Sequence, residues 1–307
     1  MDTIFSKDAL VHAVAGTCGG SLTMTTFYPL EIIRTYIQID PKYKGMSTAE
    51  AIRTMLQNEG VSVLYKGLKN TLITLGCSNF VYFYTNEGLK VLAQKITESD
   101  RRKVTLNDTA LNLLIATAAG VLNVLTTCPL WVVNTRLKIQ KKGTDEIQMD
   151  GMIDGILKII NKEGWKSMWS GCVPSLILVS NPTIQYVLYD MLKRILISYR
   201  KKRNLSALEY FLLGALCKVT STMMTYPLQL AQSRLRNSGH NVQEGKREQF
   251  NNTITCLTYI YRTDGFLGWY QGLNVKLVQT VLMSAFHFVF YEKIMHVIYA
   301  ILRPKSK

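Results

Sequence analysis

Charged residues are scarce in this chain, and long stretches of it have none. Only 19% of the 307 residues are Asp, Glu, Lys or Arg, whereas 48% are hydrophobic. Apart from Lys218 in the fifth, six stretches carry no charge: 9–30, 70–86, 109–135, 167–189, 210–233 and 277–291. A helix needs about 20 mostly apolar residues to cross a bilayer core, and it satisfies its own backbone groups there. These stretches predict six transmembrane helices and argue against a soluble protein.

Signatures of several other protein classes are also missing. The six cysteines form no Cys-x-x-Cys pair, so neither a zinc site nor a disulfide framework is indicated. The four histidines are scattered, and no nucleophile–base set or phosphate loop is present, so we expect no enzyme, no metal and no prosthetic group. The net charge of +15 comes without a recognisable nucleic-acid-binding module. It suits instead a small anionic ligand, drawn in by the field of the basic chain.

A proline-centred segment recurs three times, about 100 residues apart, which indicates a repeated structural unit. Pro29, Pro129 and Pro227 open the segments PLEIIRTYIQ, PLWVVNTRLKIQ and PLQLAQSRLR. A second motif, an acid-Gly pair followed after four residues by aromatic-x-Gly, keeps the same register and ends at three closing glycines: Gly67, Gly171 and Gly272. We divide the chain into repeats at 1–100, 101–204 and 205–307, which together form one transmembrane domain. A soluble all-α solenoid would share the repeats but not the uncharged stretches.

The three prolines lie near the C-terminal ends of the first, third and fifth predicted helices. A proline inside a helix removes a hydrogen bond and bends the helix, and helical sequence resumes after each proline here. We expect the three bent helices to converge at one membrane face and close a central cavity. The amphipathic segments Tyr43–Asn58, Gly151–Lys162 and Gln249–Thr263 are predicted to lie on that face.

The predicted helices contain many small and hydroxyl residues, such as Gly16, Gly19 and Thr23 in the first. Small residues let helices approach closely, and hydroxyls form hydrogen bonds between them. The helices therefore pack on one another. An enclosed polar path explains their number better than a non-transporting membrane scaffold does.

Two lysines stand out against the uncharged helices. Lys218 interrupts the fifth predicted helix where the other repeats have Gly20 and Gly120, and Lys276 lies near the start of the sixth. A cation buried in a membrane is costly unless it is paired or solvated. We predict that both lysines face the cavity and bind phosphate. The alternative for Lys218 is snorkelling or pairing with a backbone carbonyl.

Taken together, the threefold unit, the Pro-x-[acid]-x-x-[base] element and the acid-Gly-x4-aromatic-x-Gly element resemble the mitochondrial carrier family over essentially the whole chain. The resemblance implies six transmembrane helices, three surface helices, both termini on the cytosolic side and alternating-access exchange of small solutes. Three segments look most like the peroxisomal branch, which carries ATP, AMP, CoA, FAD and NAD: PLWVVNTRLK, CSNFVYFYT and NPTIQ. Related NAD, folate and pyrimidine-nucleotide carriers of the mitochondrial inner membrane share the tryptophan of PLWVV.

The resemblance also implies positions for substrate contacts, on the even helices seven positions beyond each closing glycine. Here these are Thr74, Leu178 with its neighbour Val179, and Gln279. The first and third are typically arginines in mitochondrial adenine-nucleotide carriers, so a mitochondrial ADP/ATP exchanger is not expected. Further candidates are amides that could bind a base and rings that could stack on it: Asn79, Asn181, Gln185, Tyr82 and Tyr186.

The family places a gate at each end of the cavity. Beside the three prolines, the proline-side gate contains Glu31, Arg34, Trp131, Asn134, Gln229 and Gln232, and no complete ion pair between repeats survives. The cytosolic-side gate contains Glu87, Lys90, Asp190, Lys193, Glu292 and Met295. There we expect two pairs between repeats, Glu87–Lys193 and Glu292–Lys90. Pairs at the cytosolic-side gate keep that gate closed and leave the cavity open to the organelle interior. Since exposed ion pairs are weak, we expect only a modest preference for this interior-open state.

The sequence therefore predicts a monomeric antiporter of adenine-containing cofactors or nucleotides in the peroxisomal membrane. The alternatives are a mitochondrial inner-membrane carrier for NAD, folate or pyrimidine nucleotides, a carrier that conducts without exchange, and a membrane scaffold.

Overall fold

The structure, a computed structural model, describes residues 7–43, 45–99, 108–140, 148–200, 206–238, 250 and 252–302. Within these residues the chain forms ten α-helices and no β-strand, so the all-α prediction is confirmed. The helices are α1 (Lys7–Ile39), α2 (Thr48–Glu59), α3 (Leu68–Ser99), α4 (Asp108–Ile139), α5 (Met152–Glu163), α6 (Cys172–Leu178), α7 (Asn181–Arg200), α8 (Ala207–Asn237), α9 (Thr253–Asp264) and α10 (Leu273–Leu302).

The predicted transmembrane segments correspond to α1, α3, α4, α6 with α7, α8 and α10. Among the described residues, one stretch, Ala110–Ile139 of α4, is long and apolar enough to cross a membrane by length and composition alone. The other long helices carry the polar and small residues expected of helices that pack on neighbours.

The three prolines lie inside continuous helices. Pro29 is within α1, Pro129 within α4 and Pro227 within α8, so helix resumes after each proline as predicted. The three surface helices also form close to their predicted places, as α2, α5 and α9. Residues 249 and 251 of the third predicted segment lie outside the described residues.

The fourth predicted helix is broken, which the sequence analysis did not foresee. It consists of α6 and α7, joined by a turn in which the N–H groups of Val179 and Ser180 donate three residues back, at 3.3 and 3.1 Å. Pro182 explains the break, because it has no N–H to donate to the carbonyl of Leu178 four residues earlier.

The chain forms two compact units. The first comprises Met1–Ile37, Met46–Leu68 and Gly272–Lys307, and contains α2, α10 and most of α1. The second comprises Gln38–Gly45 and Lys69–Gln271, and contains α4 to α9 and nearly all of α3. The boundaries that we predicted for the three repeats stay a prediction.

In the first unit, a capping box starts α2. Ser47 accepts from the N–H of Glu50, and the Glu50 carboxylate accepts from the N–H of Ser47 at 2.9 Å. This backbone hydrogen bond holds the pKa of the Glu50 carboxyl below its usual value. Such a cap satisfies N–H groups that have no partner in the first turn and so fixes where the surface helix begins.

The second unit has two similar hydrophobic clusters. Each lies where a surface helix packs on the third or the fifth predicted transmembrane segment, which are α4 and α8. One joins α4 to α5 and to the start of α6, and its buried members are Cys128, Val132, Val133, Leu137, Met149, Ile159, Met168 and Cys172. The other joins α8 to α9 through Leu230, Ala231, Leu235, Cys256 and Ile260. Each cluster lies next to the proline of its transmembrane helix and continues past it, so each surface helix is anchored to the C-terminal part of that helix.

Candidate functional site

The proline segment and the second motif contact each other in every repeat. The residue before the proline reaches the backbone carbonyl that precedes the closing glycine, in the pairs Tyr28–Lys66 (2.8 Å), Cys128–Ser170 (4.0 Å, from sulfur) and Tyr226–Gln271 (2.7 Å). In the first and third repeats this tyrosine also stacks on the aromatic residue of the motif, Tyr65 or Tyr270. The two motifs share a register because they form one joint.

The closing glycines are required by this geometry. Gly171 has φ of +77°, in the left-handed region that glycine alone enters without strain. A Cβ at Gly171 would lie 3.0 Å from the carbonyl oxygen of Gln232 and 3.2 Å from Cγ of Arg236. The glycine therefore lets the start of α6 approach α8 closely.

Arg136 is the most constrained ion in the second unit. Its side chain is fully buried and binds Glu163 through two hydrogen bonds, at 2.6 and 2.9 Å. It also donates to the carbonyl oxygens of Arg236, at 3.1 Å, and Ser238, at 2.9 Å. A bidentate guanidinium–carboxylate pair with further hydrogen bonds meets the conditions under which a buried ion pair is tolerated. It ties α4, the end of α5 and the end of α8 together.

Arg234 occupies the equivalent position of the third repeat, seven residues after the proline. Its Nε donates to the carbonyl oxygen of Gln38 and its Nη2 to Oε1 of Gln271, both at 2.9 Å. Gln271 in turn donates to Asp264 at 3.2 Å. In the third repeat, Arg234 is therefore linked to the acid of the second motif, Asp264, through Gln271. In the second repeat, Arg136 binds the corresponding acid, Glu163, directly.

The proline-side gate positions of the second unit are held by neutral hydrogen bonds. The hydroxyl of Thr71 donates to Oδ1 of Asn134 at 3.0 Å, and Nε2 of Gln232 donates to Oγ of Ser175 at 2.6 Å. Both amides lie five residues after a proline, and both hydroxyl residues lie four after a closing glycine. Gln229, by contrast, donates to Thr225 of its own helix at 3.1 Å.

In the first unit, the gate residues form a charged group. Arg34 binds both carboxylate oxygens of Glu31 at 2.8 Å, and Nε2 of Gln279 donates to the same carboxylate at 3.1 Å. The predicted substrate residue Gln279 thus contacts the predicted gate residue Glu31. Lys276, one turn earlier on α10, is half-buried.

The second unit contains an open cavity of about 490 Å³ between α3, α4, the α6–α7 break and α8. Its lining includes Tyr82, Gly120, Trp131, Leu178, Val179, Gln232 and Arg236, with Ser78, Leu113, Ala116, Thr117, Asn123, Val124, Thr127, Cys128, Ser175, Pro182 and Thr183. Among these described lining residues, Arg236 is the one with a formal charge. Apolar walls with a few polar groups and one cation suit a partly aromatic anion.

Arg236 is positioned by three neighbours at the proline-side end of the cavity. Its guanidinium carbon lies 5.5 Å from the centre of the Trp131 ring, and its Nη2 is 3.3 Å from Oγ of Ser175. Its backbone carbonyl accepts from Arg136. A guanidinium held over an indole face is a cation–π contact, so Trp131, predicted as a gate residue, also supports the cation of the cavity.

Some predicted substrate residues meet in this cavity and others do not. Leu178, Val179 and Tyr82 line it. Among the described residues of the second unit, Thr74, Asn79, Gln185 and Lys218 are not part of its lining, and Lys218 lies half-buried on α8. Tyr186 is exposed.

Asn181 has a packing role. Its amide donates to Thr225 at 2.8 Å and accepts from Ser221 at 2.6 Å, which joins the start of α7 to α8.

The cytosolic-side gate residues of the second unit pair within their own helices. Lys90 binds Glu87 at 2.7 Å, and Arg194 binds Asp190 at 2.8 Å. Lys193 instead places its ammonium 5.4 Å from the centre of the Tyr210 ring. The expected Glu87–Lys193 pair is therefore replaced by local contacts in this structure.

Two other residues of this gate lie in the first unit. The side chain of Glu292 lies outside the described residues, so the Glu292–Lys90 pair stays a prediction, and Met295 is half-buried.

Three functional arginines were missed by the sequence analysis. Arg136 and Arg234 each lie seven residues after a proline, and Arg236 lies nine after. The signal was present, since two of the three repeats place arginine at the same offset. The gate pattern that we used ends five residues after the proline and so stops short of all three.

Comparison with known proteins agrees with this architecture. The family model for mitochondrial carrier proteins matches three times, at residues 6–97, 107–200 and 203–301. The chain is 39% identical to the peroxisomal membrane protein PMP34 of Mus musculus, covering all of this chain and 99% of that protein. It is 33% identical to the peroxisomal nicotinamide adenine dinucleotide carrier of Arabidopsis thaliana (94% and 96% covered). It is 29% identical to peroxisomal adenine nucleotide carrier 1 of Glycine max (94% and 91% covered).

The family match and the relatives confirm the predicted resemblance and the predicted carrier fold with six transmembrane segments in three repeats. The relatives named above also support the predicted peroxisomal branch. With three matches in register along nearly its whole length, this chain belongs to the mitochondrial carrier family.

Proposed function

We propose that this protein exchanges adenine-containing nucleotides or cofactors, of the class of CoA, FAD, NAD, AMP and ATP, across the peroxisomal membrane. The observation that carries the proposal is the cavity in which the Arg236 guanidinium lies beside the Trp131 ring. A guanidinium binds phosphate oxygens in a fork, and aromatic faces stack on a base. Relatives named as carriers of NAD and of adenine nucleotides support this ligand class.

The protein acts as a transporter and has no catalytic step of its own. The nucleotide-type cofactors are its cargo, and it functions as a monomer without a prosthetic group. Exchange follows from alternating access, because the ligand shifts the carrier between states that it binds unequally. Lys218, Lys276, Thr74 and Gln279 remain proposed contacts along the path.

Reconstituted exchange tests the proposal directly. Liposomes that contain the purified protein and are preloaded with CoA, FAD, NAD, AMP or ATP should take up a labelled compound of the same class. Liposomes without an internal substrate should take up the same compound slowly. Folate and pyrimidine nucleotides form the comparison set. Faster exchange of those compounds would favour the mitochondrial alternative, and uptake that needs no internal substrate would favour conduction without exchange.

Location is tested separately. Full-length protein carrying a fluorescent tag should coincide with a peroxisomal membrane marker. Coincidence with a mitochondrial inner-membrane marker would overturn the proposed location while leaving the exchange activity to stand.

A further inference from the structure

We propose that Arg236 is a phosphate-binding residue of the substrate site, and that the ligand lies lengthwise in the cavity with its phosphate at Arg236 and its base near Tyr82. The proposal rests on the proposed function and adds to it a named residue and an orientation. Neither the predicted gate positions nor the predicted contact positions on the even-numbered transmembrane segments include Arg236.

The direction of the cavity follows from two hydrogen bonds between α3 and α4. Thr71 contacts Asn134, and further along α3 Ser78 contacts Asn123 at 3.1–3.3 Å. The two helices are therefore antiparallel, and Tyr82, one turn beyond Ser78, lies toward the N-terminal part of α4. Arg236 and Trp131 lie toward its C-terminal part.

The cavity is long enough to hold a nucleotide in this direction. Its lining runs along α4 from Leu113 to Trp131, which at 1.5 Å per residue is roughly 27 Å. Hydroxyl and amide groups such as Asn123 and Thr127 lie between the two ends. These groups can form hydrogen bonds with a ribose. The two ends of the cavity differ in the same way as the two ends of a nucleotide, because one has a cation and the other an aromatic ring.

The phosphate end is assigned to Arg236 by charge and by access. No Asp or Glu is among the described residues that line the cavity, so Arg236 gives the lining a net positive charge that attracts an anionic ligand. The backbone carbonyl of Arg236 accepts a hydrogen bond from Arg136 at 3.1 Å, which holds the base of the side chain that lines the cavity. A phosphate can replace the 3.3 Å contact with the Ser175 hydroxyl by shorter charge-assisted hydrogen bonds.

The base end is assigned to Tyr82 and to the break between α6 and α7. Tyr82 offers a ring face, and Val179 packs so closely on Gly120 that a Cβ there would lie 2.6 Å from its Cγ1. Pro182 leaves the carbonyl of Leu178 without its usual helical donor. That carbonyl can accept from an exocyclic amino group of a base.

The test compares ligands that lack one end with variants that lack one contact. Binding of AMP, adenosine and ribose 5-phosphate to the purified full chain is measured by calorimetry and by ligand-dependent thermal stabilisation. Arg236→Gln should weaken AMP binding by roughly tenfold to a hundredfold, which is the usual size of a lost charge-assisted hydrogen-bond pair, and should abolish the preference for AMP over adenosine. Tyr82→Leu should reduce the preference for AMP over ribose 5-phosphate.

Two further variants separate a lost ligand contact from lost folding and lost charge. Arg236→Lys keeps the cation but not its fork, so it should retain part of the preference for AMP over adenosine. Arg262→Gln removes an exposed cation of the surface helix α9, which does not line the cavity, and should leave AMP binding within about twofold of the original, since exposed charges contribute little.

The outcomes distinguish the inference from the function on which it rests. If vesicles exchange AMP but Arg236→Gln binds it as tightly as the original chain, the orientation is wrong and the proposed function stands. If Lys218→Gln loses the preference for AMP and Arg236→Gln keeps it, the phosphate belongs to Lys218. If no nucleotide or cofactor is exchanged at all, the proposed function itself fails.

Discussion

The two ends of the second unit contain ion pairs of the same chemical kind in opposite surroundings. At the proline-side end, Arg136 is fully buried, binds Glu163 in two places and joins segments far apart in the sequence. At the other end, Lys90 with Glu87 and Arg194 with Asp190 are exposed pairs within single helices. A buried, multiply bonded pair is costly to break, whereas exposed pairs one turn apart contribute little. Counting charges at each gate therefore misjudges which end is held more firmly.

The proline-side end of the second unit has contacts that the charges at its gate positions do not predict. We expected the proline-side end to be the weaker, because its gate positions lack complete ion pairs between repeats. In the second unit, that end is held instead by Arg136 and by two neutral hydrogen bonds, Thr71–Asn134 and Ser175–Gln232. The charges at the other end are satisfied locally. The expected preference for the interior-open state stays a prediction, because the cytosolic-side pairs are expected in the state in which that gate is closed.

Breaking the buried pair should have the largest effect. Arg136→Ala removes the only cation bound to the Glu163 carboxylate among the described contacts, together with its hydrogen bonds to the carbonyls of Arg236 and Ser238. We expect the free energy of unfolding to fall by about 3–5 kcal/mol, measured by denaturant unfolding in detergent. Arg194→Ala at the exposed end is the matched control and should change it by less than about 1 kcal/mol. Equal losses in the two variants would contradict the comparison.

Removing one neutral gate contact should have an intermediate effect. Thr71→Val keeps the shape of the side chain but leaves the buried amide oxygen of Asn134 without this donor, so we expect a loss of about 1–3 kcal/mol. Thr126→Val provides a control, because Thr126 is exposed and bonds only within its own helix. It should stay within about 0.5 kcal/mol of the original chain. A Thr71→Val variant that matches this control would show that the neutral contacts do not hold the proline-side end.

Removing an exposed pair should have the smallest effect, and one that depends on salt. Lys90→Gln should change the free energy of unfolding by no more than about 1 kcal/mol. The difference should shrink as ionic strength rises, because exposed charges are screened within about 10 Å at 0.1 M salt. A large loss that persists in high salt would show that Lys90 has a partner beyond its own helix.

The sequence predicted the fold well because the relevant signals are local and repeated. Uncharged stretches located the long helices, and the recurrence of Pro29, Pro129 and Pro227 located the repeats. The break at Pro182 was missed although a proline in a predicted helix is a visible signal. The second and sixth predicted transmembrane segments, α3 and α10, run without a break. Because the repeats are similar, we expected the fourth segment to be continuous as well.

The site was predicted less well because its contacts depend on distance in space. The partner of Asn134 is a hydroxyl from the preceding repeat, and the cation of the cavity, Arg236, acts through Trp131 and Ser175. Several acceptors are backbone carbonyls, which every residue carries and no sequence pattern marks. Leu178 and Val179 were found because the family resemblance supplied their position.

The joint between each proline segment and its second motif has a consequence for how the repeats could diverge. The acceptor is always a backbone carbonyl, supplied by Lys66, Ser170 or Gln271 in the three repeats. Substitution of the acceptor's side chain leaves such a contact intact, so the three repeats can have different residues at this position. The donor side chain does matter, because the two tyrosines make contacts of 2.8 and 2.7 Å whereas the thiol of Cys128 lies 4.0 Å from its acceptor. The three repeats can therefore have different side chains at these joints and still keep the same contact between the proline segment and the second motif.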